Sequence, residues 1–82
     1  MQYNCIMNVN LIRVDPDKHM NRRYSVVVQS TLLEPVAVIC VWGSRRGSYQ
    51  RMQIHPATTS EEAQQTAKKI IRAKLRRGYR AD

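Results

Sequence analysis

The chain has 82 residues, of which 14 are Lys or Arg and six Asp or Glu, giving a formal charge of +8 and a pI near 10.2. One domain is expected over residues 1–82, one that buries only roughly 60 to 65% of its unfolded surface, and the sign of its charge favours polyanionic partners, nucleic acid first. No run reaches the roughly 18 apolar residues of a membrane span, and MQYNCIMNVNLIRV has no cationic segment leading into an apolar one, so a soluble, cytoplasmic protein is expected and not a secreted or membrane-bound one.

Along the chain, Tyr3, Cys5, Met7, Val9 and Leu11 alternate with polar Asn4, Asn8 and Asn10, which predicts a half-buried strand from Tyr3 to Val14. Turn-forming residues from Asp15 to Asn21 predict a hairpin connection. Arg23 to Gln29 then resumes in β-branched residues, with Tyr24, Val26 and Val28 on one face. After Leu33-Glu34-Pro35, the run Val36 to Trp42 is apolar at both parities, as in a central strand. A loop from Ser44 to Ser48 precedes a fourth strand, Tyr49 to His55, where Met52 and Ile54 alternate with Arg51 and Gln53 and Pro56 marks the end. Cys5 and Cys40 lack metal-ligand spacing and read as free, buried thiols.

The period then changes. Thr59 followed by Glu62 is a capping box, and Glu61 and Glu62 suit the positive end of a helix dipole. Ala63, Ala67, Ile70, Ile71, Lys74 and Leu75 recur at helical spacing, and Gly78 offers the left-handed position that ends a helix. The expected fold is α+β: an antiparallel, meandering sheet of four to five strands with one C-terminal helix packed on one face. A helix of that length covers one side only. If it covers Val36, Val38 and Cys40, then Ala37, Ile39 and Val41 face an open side, and an open apolar patch marks a contact surface.

Catalytic chemistry finds no support. His19 and His55 have no ligand at metal-binding spacing, the carboxylates fall in turns and at the helix start, and no nucleophile elbow or phosphate-binding loop is present. A binding module is expected, without enzyme activity, metal or cofactor. Lys68, Arg72 and Arg76 recur at i, i+4 and i+8 beside Lys69, a cationic stripe that few acids offset. Arg45 and Arg46 follow Trp42 and Gly43, and that combination of an aromatic ring, cations and a residue permitting close approach suits exposed ends and single strands of nucleic acid. The alternative is a protein-interaction or self-associating module, possible homodimer included, that uses the open sheet face.

These residues resemble the WGR domain, found in DNA-dependent poly(ADP-ribose) polymerases and in small stand-alone bacterial proteins. The likeness covers nearly the whole chain. It is carried by Leu11, Asp15 and Asn21 ahead of Tyr24, by Gln29, by Trp42-Gly43 with Gln50 beyond, by Ser60-Glu61-Glu62-Ala63, and by Lys74-Leu75-Arg76-Arg77-Gly78-Tyr79. It implies an antiparallel sheet with one helix and no catalytic role, and in the polymerases a surface that binds DNA near a strand break, with the motif tryptophan against the terminal nucleotide; the expected partner here is nucleic acid, DNA ahead of RNA. Trp42 and Gly43 fill their motif positions, and Ser44 stands where the motif has arginine. Two further departures are Arg45-Arg46-Gly47-Ser48-Tyr49 in a loop that is usually Gly-rich, and Val36 at a position commonly aromatic.

Overall fold

We describe residues 5–30, 35–45, 47 and 50–81 of the computed structural model, together with the backbone but not the side chain of Cys5. The expected roles of Tyr3, Asn4, Leu33, Glu34, Arg46, Ser48 and Tyr49 lie outside the described residues.

Alternating apolar residues produce four long strands, β1 (Cys5–Asp15), β2 (Met20–Gln29), β3 (Val36–Ser44) and β4 (Gln50–Ala57). The helix α1 (Ser60–Arg76) follows, and then a short β5 (Arg80–Ala81). The sheet is antiparallel throughout, in the order β4-β3-β2-β1-β5. The meander is as expected, with the fifth strand returning beside β1.

Several boundaries differ from the sequence reading, for identifiable reasons. The β1–β2 connection needs only a single 3-10 turn, Pro16–Lys18, closed by the amide of His19 donating to the Pro16 carbonyl at 3.2 Å with His19 at φ 53°. Asn21 and Arg22, expected ahead of the strand, therefore already pair with Val14 and Arg13. Pro56, expected to end the fourth strand, lies within β4 opposite Ala37. β4 is an edge strand, where a residue without an N–H is tolerated.

The core lies between the sheet and α1. Leu11, Tyr24, Val26, Val28, Val36, Val38 and Cys40 point to this side and are buried against Ala63 and Ala67, with Met7, Val9, Ile70 and Ile71 at its margin. Cys40 is a free, buried thiol, as expected. Burial, followed by its hydrogen bond with Cys40, pushes the Tyr24 phenol well above its ordinary pKa. Leu75, expected on the apolar stripe, is 47% exposed, because the packed seam passes through Lys74 instead.

The helix ends are built as the sequence implies, with one change at the start. The Glu62 amide donates to the Thr59 hydroxyl at 3.1 Å, which is one half of a capping box. The Glu62 carboxylate does not return to the Thr59 amide but accepts from the Thr58 hydroxyl at 2.7 Å and the Thr58 amide at 3.3 Å, bonds that hold its pKa below the ordinary carboxylate value. At the other end Gly78 adopts φ 99°, the Tyr79 amide donates to the Lys74 carbonyl and the Gly78 amide to the Leu75 carbonyl, both at 3.1 Å. These two bonds are a Schellman motif. A Cβ on Gly78 would lie 3.4 Å from Arg13 Nε, the movable end of a side chain, so the penalty at this site belongs to the backbone. Gly78→Ala should lower the unfolding free energy by about 1 to 2 kcal/mol in urea titration.

α1 begins beside Ala57 at the end of β4 and finishes with Lys74 above Tyr24 of β2, so it crosses the sheet obliquely. One corner of the covered face, where Trp42 of β3 pairs with Arg51 of β4, is left open.

Candidate nucleic-acid interface

At that corner three aromatic rings form a continuous group. Tyr24 and Trp42 are cross-strand partners and stack with centroids 5.6 Å apart and planes 17° from parallel. Tyr79 meets Tyr24 edge to face at 6.2 Å and 70°. Lys74 Nζ sits 4.5 Å above the centre of the Tyr24 ring, and burial, then the nearby Arg77, lowers its pKa. One face of the Trp42 ring is thus taken by Tyr24, and the ring is half-buried at the margin of the core. Trp42 serves the core and the surface at once.

Beyond Trp42 opens a cleft of about 430 Å³, lined by Arg22, Trp42, Gly43, Ser44, Gly47, Arg51 and Tyr79. No carboxylate is among these residues. Cross-strand register explains the arginines. Arg22 on β2 pairs with Ser44, the position where the motif arginine is missing, and Arg51 on β4 pairs with Trp42. The two exposed guanidinium groups therefore flank the aromatic wall from either side of β3.

Of the residues singled out from sequence, Trp42 and Gly43 line the cleft. Arg45 is exposed directly after Ser44, its amide donating to the Asn21 carbonyl at 3.0 Å, and Arg46 lies outside the described residues. Lys68, Lys69, Arg72 and Arg76 are exposed on α1, and none of them lines the cleft. With about 100° per residue, Arg72 is turned about 140° around the helix axis from buried Ala67, so the stripe points away from the sheet. The stripe and the cleft are separate cationic surfaces. Sequence reasoning missed Arg22, Arg51 and Tyr79 as cleft residues; the parity of Arg22 with Tyr24 was an available signal, but placing Arg51 required the β3–β4 register.

The arrangement defines a class, a small α+β module with a cationic, aromatic cleft beside the end of its helix. Residues 7–82 match the WGR domain, and the chain belongs to that family. WGR domains are generally nucleic-acid-binding modules. The chain is similar to "Uncharacterized protein y4dW" of Sinorhizobium fredii (strain NBRC 101917 / NGR234), with 31% identity over 68 residues. The shared region takes in 83% of this chain and 33% of that protein, so the chain spans about a third of its relative's length. No solved structure matches the chain significantly.

Proposed function

We propose that the chain binds DNA at exposed ends, with Trp42 against the terminal nucleotide and Arg22, Arg45 and Arg51 on the neighbouring phosphates. The observation that carries this reading is the cleft itself. An aromatic wall supplies stacking, which is tolerant of base identity, and two guanidinium groups without a carboxylate among the lining residues supply charge for an anion. At about 430 Å³ the cleft is within the roughly 300 to 1,000 Å³ range of small-ligand sites, room enough for a single nucleotide. The family membership favours nucleic acid as the ligand, and the resemblance to the polymerase domains favours DNA over RNA. The helix stripe of Lys68, Lys69, Arg72 and Arg76 contributes attraction that does not read sequence.

Trp42 is the only tryptophan, so indole emission reports on the surroundings of this one ring at the cleft wall. Short duplexes should quench or shift it, and closed circular DNA at equal phosphate concentration should do so much less. An equal response to both would remove the end preference and leave a general nucleic-acid binder, while no response to either would remove the cleft from the binding surface. Arg51→Gln, an exposed change, should weaken the response to ends without altering the fold.

A further inference from the structure

The sheet face turned away from α1 bears apolar side chains aligned in register. Asn8, Val27, Ile39 and Ile54 form one row across β1 to β4, and Asn10, Ser25, Val41 and Met52 form the next. Val27, Ile39 and Val41 are half-buried by their neighbours, whereas Ile54 is 51% and Met52 63% exposed. Strand β4 therefore turns its two large apolar residues away from the helix and its Arg51 and Gln53 towards the helix side, the reverse of what a lone helix-covered sheet requires. Ala37, expected within this open patch, is in fact fully buried and marks its end.

The same face is almost free of charge. Alternation leaves Arg23 and Arg80 as the only charged residues at its described strand positions, in a chain with 14 Lys and Arg. The remainder is apolar or neutral, and its polar groups partly satisfy one another, as when the Ser25 hydroxyl donates to Asn10 Oδ1 at 2.8 Å.

We propose that this face packs against the same face of a second copy, giving a two-fold symmetric, helix–sheet–sheet–helix dimer. The charge distribution selects that occupant. Two chains of charge +8 repel through most of their surfaces, and this face lets them meet with their cationic helices and clefts turned outward. A differently charged partner would find little here to complement, whereas neutral rows of apolar, Asn and Ser side chains complement themselves. Four strands at about 4.8 Å spacing and some eight residues at about 3.3 Å give a face on the order of 500 Å² per copy. The total, on the order of 1,000 Å², lies at the small end of specific interfaces, so the dimer is weak and depends on concentration in the micromolar range.

Sedimentation equilibrium without nucleic acid tests this independently of the cleft. The chain should move from monomer towards dimer mass between about 1 and 300 µM, and added salt should strengthen association, because it screens the repulsion between two chains of charge +8. Ile54→Lys should raise the dissociation constant roughly tenfold or more, since symmetry brings in two like charges. Gln53→Lys adds the same charge to the opposite side of the same strand and should associate as the parent does. Ile54 is half exposed, so the melting transition should survive the change; Met52→Lys serves as a second variant should it not. A monomer at every concentration, or equal effects of Ile54→Lys and Gln53→Lys, would overturn the proposal, the latter by pointing to contact through the β4 edge.

Discussion

Raising salt from about 50 to 200 mM should weaken duplex DNA binding by roughly 250- to 1,000-fold. That loss corresponds to a log–log slope of about −4 to −5, as expected if five to six phosphates are neutralised and their counterions released. The two cationic surfaces can be separated by how each changes the slope. Replacing Arg22 and Arg51 with Gln should make it shallower by about 2 and remove the preference for ends. Replacing Lys68, Arg72 and Arg76 with Gln should weaken all duplexes alike and make the slope shallower by about 3. An unchanged affinity in the helix variant would show the stripe to be a solvated face, and binding with no salt dependence in the parent would remove phosphate contacts altogether.

Tyr24→Ala should be the most damaging of the changes to the aromatic group, lowering unfolding free energy by about 3 to 5 kcal/mol. Tyr24 is buried, stacked on Trp42, touched edge-on by Tyr79 and covered by the Lys74 ammonium, so its loss leaves these three neighbours with a shared void. Trp42→Ala should cost less, about 1.5 to 3 kcal/mol, because the ring is half-buried and only one of its faces is packed. It should also lose roughly 1 to 3 kcal/mol of end binding through the missing stack. Urea unfolding and fluorescence-independent titration of the two variants would show both effects. A Trp42→Ala protein with full stability would mean that the Tyr24 stack carries no weight in the fold.

The long elements were legible because each expresses a period. Alternation in Met7, Val9 and Leu11 and in Tyr24, Val26 and Val28 marks the buried side of β1 and β2, the unbroken apolar run from Val36 marks β3 as central, and Thr59, Glu62 and Gly78 mark both ends of the helix through chemistry that acts over a few residues. What the sequence did not reveal depends on alignment between segments distant along the chain. Arg51 reaches Trp42 only through the β3–β4 register, which no local pattern specifies. β5 has two residues and so has no period to read, yet it returns the chain along β1. The orientation of β4 was open to misreading for a related reason, since alternation shows that Met52 and Ile54 share a side but not which side the helix takes.

The bonds that terminate α1 also tie the helix to the cleft. Tyr79 closes the Schellman motif through its amide, while its ring packs on Tyr24 and helps to wall the opening beside Trp42. Unwinding of the last helical turn therefore cannot leave the cleft intact, because the same residue would withdraw from both. A ligand held against that wall therefore stabilises the helix end as well, since only the closed end presents the complete wall. Slow amide exchange at Gly78 and Tyr79 is the form in which occupancy of the cleft would be felt along the backbone.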